Sequence, residues 1–214
     1  MSDSRDTGAR SSLWVWISIC VVLAAMPLVR FATRRARAPL PVLYSIPSWA
    51  LTDQRSAPFG TAQLQGHSYV VDFVFTTCLS ACPILSARMA SLQPRIERIA
   101  GAPRLVSITV DPQNDTPERL QTYARRFRAR EGTWTFVTGP EASVLGVLEH
   151  GFRVAVESPP RGPHGEFNPL DLAHSNRFLL IDGRGRLRGT YAADQNTEID
   201  RLVADLALLS TERN

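Results

Sequence analysis

The sequence predicts an α/β sandwich around a mixed β-sheet, and three observations carry that expectation. Apolar β-branched and aromatic runs alternate along the chain with amphipathic segments. The strongest run, residues 69–75 (YVVDFVF), is almost unbroken, as a strand covered on both faces requires. Near the C-terminus, the runs 178–181 and 186–191 are joined by a turn at Gly183 and Gly185, a hairpin that brings antiparallel pairing into the sheet. At 214 residues, 44% hydrophobic and 21% charged, the chain has the composition of one packed domain with an appendage.

The appendage comes first. Residues 1–12 are a tail, and 13–29 form a hydrophobic segment interrupted only by Ser18 and by Pro27 near its end. Seventeen residues reach the short end of the transmembrane range, with Trp14 and Trp16 as interfacial anchors, so one N-terminal transmembrane helix is expected. A cleaved signal peptide is the competing reading. Against it, the run is longer than a signal's apolar region, and the small-residue site Ala36-Arg37-Ala38 lies past Arg30, Arg34 and Arg35. Cys20 invites a lipoprotein reading, but Ile19 is bulky where lipid attachment wants a small residue, so Cys20 is read as a lipid-facing side chain. Residues 30–42 make a basic, proline-rich tether, and the domain is taken as 43–214.

Net charge is confined to the appendage. Residues 1–38 hold six Arg against Asp3 and Asp6, whereas 39–214 balance 18 Arg with 18 acids. A neutral domain has no basic face to displace counterions from phosphates, so nucleic acid is not expected as a partner. Four arginines follow the hydrophobic segment and only Arg5 and Arg10 precede it, which by the positive-inside rule favours a cytoplasmic domain.

Within the domain, 49–53, Phe59 and 64–66 read as a short hairpin and turn. The buried strand 69–75 follows. Residues 87–99 place Met89, Leu92, Ile96 and Ile99 at helical spacing, and 105–110 is a second buried strand. Asp115-Thr116-Pro117-Glu118 is a helix start with a cap and an early proline, ahead of a helix over 120–130. Strands at 134–137, 178–181 and 186–191 and an amphipathic helix over 198–209 complete the order.

The chemistry concentrates where the best strand ends, in Phe73-Val-Phe-Thr-Thr-Cys78-Leu-Ser-Ala-Cys82-Pro83. Proline is tolerated in the first helical turn and costs a hydrogen bond deeper in, so Pro83 sets a helix start close to Cys82. Cys78 and Cys82 therefore bracket a loop entering a helix N-terminus, where partial positive charge favours thiolate. They should lie close enough to form a disulfide, and at least one should be unusually acidic. A structural staple usually closes a longer loop than this one. The spacing alone serves a dithiol redox pair and a metal site equally, so a third ligand must decide.

Four histidines are available. His67 reads as a solvated turn residue, His150 as the end of a helical stretch beside Gly151, and His164 as part of the Pro/Gly-rich loop 158–169. His174 stands immediately before the strand at 178–181, and a neighbour of the central thiol strand can carry an imidazole over the helix mouth from its entry loop.

Three blocks in order resemble the SCO/SenC family, over roughly residues 49–209. They are FxFT followed by CxxxCP at 78–83, the segment Ser107-Ile-Thr-Val-Asp111-Pro112-Gln-Asn-Asp115-Thr116-Pro117, and His174-Ser175 ahead of a hydrophobic strand and the Asp182-Gly183 turn. The resemblance implies a thioredoxin-like three-layer sandwich and a membrane-anchored copper chaperone for cytochrome c oxidase assembly, with Cys78, Cys82 and His174 as copper ligands. It also implies delivery to the oxidase's copper-bearing subunit and a single-pass topology with the domain on the outer, periplasmic side, against the arginine asymmetry. Family members commonly carry Pro after the first cysteine, an acid within the loop, and Asp before the histidine. Here Leu79, Ser80-Ala81 and Ala173 stand in those places, leaving Asp171 or a backbone carbonyl to orient the imidazole.

Two thiolates and an imidazole suit Cu(I) and, with an added oxygen donor, Cu(II); zinc accepts the same three with an open fourth position. Met1, Met26 and Met89 fall at the start, in the span and on a core helix, which argues against a thioether site. The alternative function is a thiol-disulfide oxidoreductase working through a Cys78–Cys82 disulfide. General reductases of this kind use CxxC with a cis-proline opposite, where this chain has CxxxC and Ala173-His174-Ser175. Arg125, Arg126, Arg128 and Arg130 raise a third class, a metal-free docking module, but such a run reads first as a solvated helix face.

Overall fold

The computed structural model describes residues 39–153 and 176–212, together with Trp16, Ile19, Val21 and Met26. Those four are helical and exposed. The rest of the span read at 13–29 lies outside the described residues, among which no helix is long and apolar enough to cross a membrane. The chain divides into two units, 1–39 and 40–214, and the second holds the sheet.

Eight strands among the described residues form that sheet: β1 (Tyr44–Ser45), β2 (Ala50–Asp53), β3 (Pro58–Gly60), β4 (Tyr69–Val74), β5 (Arg104–Thr109), β6 (Trp134–Thr138), β7 (Arg177–Ile181) and β8 (Arg186–Ala192). Their order is β1-β8-β7-β4-β5-β6-β2-β3. The run YVVDFV of β4 is buried at every position because β5 pairs with it in parallel on one side and β7 antiparallel on the other. The expected mixed sheet with the thiol strand at its centre is what the chain builds.

Helices cover both faces. Val70 and Val74 point to one, where α2 (Ala81–Ile96), the helix that follows the single-turn α1 (Thr61–Leu64), sets Leu85, Met89, Leu92 and Ile96 against them. Leu120 and Tyr123 of α3 (Pro117–Arg126) and Ile199, Leu202 and Leu206 of the final helix (Asn196–Thr211) complete that core. Tyr69, Val71 and Phe73 point the other way, onto Trp49, Val144, Leu148 and Phe152. Val144 and Leu148 come from a short helix (Glu141–Gly146) that runs into a π-helical turn (Val147–Gly151), and Phe152 follows that turn directly. Alternation of side chains across β4 thus feeds two separate cores.

Local chemistry explains the helix ends. The α2 helix begins at Ala81, six residues ahead of the periodic stretch expected from 87, because Pro83 at its third position gives up only an N–H that has no intrahelical partner. Thr116 caps α3 by accepting the Arg119 N–H at 3.4 Å, with Pro117 as its first residue. The helix expected through 130 stops at Arg126, since Arg128 adopts φ 53°, and the side chain of Gln93 accepts the Arg130 N–H at 2.7 Å.

The chain enters the domain under a buried ion cluster. Arg188 on β8, 4% exposed, donates to Asp182 and Glu212 at 2.8 Å each, and to the carbonyls of Leu40 and Pro41 at 2.6 and 3.1 Å. Leu187 beside it pairs with both Tyr44 and Ile181, and Ile181 pairs with Tyr69. This corner therefore lies at the start of β4, at the opposite end from the thiol loop.

Candidate metal centre

The thiols sit where β4 runs out of partners. Val110 donates the last ladder bond to Val74, at 3.0 Å, and the chain then turns through Phe75, Thr76 and Thr77 into Cys78, whose N–H donates to Phe75 at 3.3 Å. Three residues later α2 begins, and the Cys82 N–H points back to donate to Cys78 Sγ at 3.4 Å. Cys78 thus occupies the place of a capping side chain at the α2 N-terminus, and the two thiols are brought together as their spacing and Pro83 predict. Both are free and nearly covered, at 6% and 1% exposure.

Their electrostatics differ. Burial pushes the Cys78 thiol up, but the backbone N–H groups of Cys82 and Ser80, with the Cys82 thiol and Ser80 hydroxyl, more than offset it and leave Cys78 below its ordinary value. Burial pushes Cys82 up to about 12; the Phe75 backbone offsets little of this, and the Cys78 sulfur and the Asp72 carboxyl add to it. One thiol is readied as a nucleophile or ligand, while its partner keeps its proton until a cation or disulfide takes its place.

Two buried acids lie near the thiols, and one of them holds the loop. Asp115, between β5 and α3, accepts the Thr76 N–H on both oxygens at 3.1 and 3.2 Å and the hydroxyls of Thr76 and Thr109 at 2.5 Å each. Burial raises its pKa, and the Thr109 and Thr76 bonds offset that only in part. Asp72, 0% exposed on β4, accepts from Ser107 at 2.5 Å, and Ser107 in turn accepts from Trp134 Nε1 at 2.9 Å. Its Oδ2 has no hydrogen-bond partner among the described residues, and burial lifts its pKa to about 7. Sequence reasoning assigned neither acid a role, although a lone Asp inside an apolar strand is a visible signal.

Of the histidines, His174 and His164 lie outside the described residues. Asn176, two positions after His174, lines a small cavity of about 90 Å³ with Ala81 and Ile84 at the start of α2. His67 lies at the other end of β4 and is half-buried rather than solvated. Its Nδ1 sits 3.1 and 3.2 Å from the Gly101 and Ala102 carbonyls, which an Nδ1–H satisfies. His150 is exposed on the π-helical turn. Among the described residues no group of three or more His, Cys, Asp or Glu is placed to hold a metal ion.

The surface around the thiols is mixed. Leu79 is 95% exposed and Ile84 62%. On the α3 side a groove of about 530 Å³ is lined by Thr76, Thr77, Glu118, Arg119, Thr122, Tyr123 and Arg126. The arginines expected on a solvated face are exposed, Arg130 pairing with Glu97 and Arg126 lying over the Phe127 ring.

Comparison with known proteins gives a consistent result. The family model SCO1/SenC matches residues 43–210. A protein of Stutzerimonas stutzeri described as a putative copper-binding protein is 37% identical over 151 residues, covering 70% of each chain. The crystal structure of a SCO1/SenC family lipoprotein from Bacillus anthracis superposes with a TM-score of 0.68 at 30% identity, covering 81% of this chain and 99% of that one. BsSco, described as a member of the Sco family of cytochrome c oxidase assembly proteins, shares the fold with a TM-score of 0.65 at 23% identity, over 80% and 97% of the two chains.

Proposed function

The chain belongs to the SCO1/SenC family, and from that premise we propose that it is a membrane-anchored copper chaperone. It takes copper on Cys78, Cys82 and His174 and passes it to the binuclear copper site of a cytochrome c oxidase. The observation that carries this reading is the thiol pair at the α2 mouth, with the sulfur of Cys78 held by the Cys82 N–H and already more acidic than an ordinary thiol. Copper(I) favours thiolate donors, so its arrival displaces the Cys82 proton, and the charge of the ion replaces the burial penalty that keeps that proton on. The short span from Asn176 to the start of α2 supports His174 as the third ligand. Descriptions of relatives as copper-binding and as oxidase assembly proteins support the cargo and the acceptor.

Release proceeds by ligand exchange, which needs an open mouth, and exposed Leu79 and Ile84 leave an apolar surface beside the sulfurs for an acceptor to meet. Such an acceptor works on the outer face of the membrane, so the apolar segment 13–29 anchors a domain outside, against the arginine asymmetry. Reporter fusions after Asn214 that are active only in the cytoplasm would overturn this topology. For the site itself, the chain purified reduced and loaded with Cu(I) should hold one copper per molecule. Cys78→Ser and Cys82→Ser should each abolish it, and a wild-type chain that retains no copper refutes the reading.

A second reading, thiol-disulfide oxidoreductase, is favoured by the split between the two thiols, one acidic and one protonated, as attacking and resolving cysteines require. His174→Ala separates the two. A copper site loses a ligand and binds Cu(I) more weakly, and Cu(II) weaker still, while disulfide formation survives. Unchanged copper affinity removes His174 from the site.

A further inference from the structure

We propose that Asp115 is the positioning residue of the thiol loop, fixing Cys78 relative to the start of α2 and so setting copper affinity without touching the metal. The proposal rests on the copper-site reading of Cys78 and Cys82.

The loop needs such a device. Beyond Val74 the ladder ends, Thr77, Leu79 and Ser80 are exposed, and the hydrogen bonds that residues 76–80 make within the loop and to α2 are local. Among the described residues, every other hydrogen bond of this stretch runs from Thr76, two positions before Cys78, to the Asp115 carboxylate. A carboxylate that takes one backbone N–H on both oxygens and the same residue's hydroxyl fixes a peptide plane as well as a side chain. Among the described residues, no other hydrogen bond ties Thr76 to the sheet.

Asp115 is itself held rigidly, so it can transmit position rather than follow the loop. Its N–H donates to the Asp111 carbonyl at 2.9 Å, and the Asp111 carboxylate accepts from Asn114 Nδ2 at 2.9 and 3.1 Å. The Asp111 N–H donates to Thr109 Oγ1 at 3.0 Å, and that hydroxyl donates on to Asp115. The next residue, Thr116, caps α3. The turn 111–116 is thus a bracket between the end of β5 and the start of α3, and the Asp115 carboxylate is the arm by which it grips the thiol loop. A bound ion tolerates only sub-ångström errors in its ligands, and the side chains behind ligands commonly decide affinity by a factor of about 10–100.

The test compares Cu(I) affinity, by competition with a chromogenic chelator, in the full chain and in Asp115→Asn, Thr76→Val and Thr76→Ser. Asp115→Asn should weaken binding by about 10–100-fold, since the amide presents a donor to the Thr76 N–H. Thr76→Val should lose part of that, Thr76→Ser should keep wild-type affinity, and the Asp115→Asn/Thr76→Val pair should be no weaker than Asp115→Asn alone. Leu202→Ala, in the core on the final helix, serves as a destabilised control that should bind copper normally. Wild-type affinity in Asp115→Asn, or an equal loss in Leu202→Ala, overturns the proposal. If Asp115→Asn does not fold, the contrast between Thr76→Val and Thr76→Ser decides. If the wild-type chain binds no Cu(I), the copper reading fails by itself. The equilibrium of the Cys78–Cys82 disulfide with glutathione in the same variants then reads the positioning role: a shift of tenfold or more in Asp115→Asn sustains it, and an unchanged constant removes it.

Discussion

Replacing Asp72 with Asn measures what the fold gives up to keep a carboxyl under the thiols. Asp72 is wholly buried, with one oxygen bonded to Ser107 and the other without a partner among the described residues. Burial raises its pKa from 3.8 to about 7, the Ser107 bond offsetting part of the rise. Between those two values the folded chain keeps a proton that the unfolded chain has released, so stability falls as pH increases. The contribution of the neutral carboxyl is complete below about pH 4, is lost as pH climbs to about 7, and changes no further above that. A difference of about three units amounts to roughly 4 kcal/mol, or about 1.4 kcal/mol per unit inside the window. Asparagine does not titrate. It leaves an amide donor unpaired at a cost of about 1–3 kcal/mol, and that cost is the same at every pH. Urea unfolding of both proteins at half-unit steps from pH 4.5 to 7.5 should therefore show the variant gaining steadily on the wild type, by roughly 3 kcal/mol over that range. Parallel profiles would refute the reasoning and mean that Asp72 is already ionised, or solvated, at acid pH.

Three further outcomes follow from the geometry. Alkylation mapped by mass spectrometry across pH should label Cys78 at a pH below the ordinary thiol range and Cys82 only at strongly alkaline pH; equal rates at both sulfurs contradict the assigned asymmetry. Arg188→Met leaves Asp182 paired with Arg186 alone and removes the cation beside Glu212, and should cost about 1.5–3 kcal/mol in urea unfolding, whereas a loss below about 1 kcal/mol would mark the cluster as an ordinary surface pair. Gly183→Ala drives a Cβ to 2.8 Å from the Gly66 carbonyl carbon, which is backbone, and should destabilise by about 1–3 kcal/mol. Gly146→Ala, where nothing lies within 4 Å, should be neutral or stabilising by up to about 1 kcal/mol, and the same sign at both glycines would show that close approach is not the cause.

What could be read from the chain was whatever a short window encodes. The run at 69–75 announces a central strand because both faces must be apolar, and Pro83 places the α2 start because proline is admitted only there. Thr116-Pro117 marks the α3 start in the same way, although the end of α3 depends on Arg128 and on Gln93, which is more than thirty residues away. The thiol pair was legible because loop and helix start are adjacent in sequence. The buried acids near it were not: Asp72 accepts from Ser107, which accepts from Trp134, and Asp115 reaches back to Thr76, across separations that leave no local pattern. His67 was misread for the same reason, since its carbonyl partners belong to the turn before β5. The two residues of β1 carry no strand signal of their own and are extended because the edge of β8 accepts them.

The ion cluster around Arg188 also decides how the domain bears a mechanical load. A pull on the chain at Leu40 meets three bonds from Arg188 and Glu212 to Leu40 and Pro41 within two residues, and behind them the β1–β8 pairing. Those bonds lie at the start of β4, whose six residues span about 17–20 Å before the chain turns toward Cys78. A load applied at Leu40 thus enters the sheet at the end of β4 away from Cys78, and must break these side-chain bonds and the short β1–β8 pairing before it reaches the central ladder.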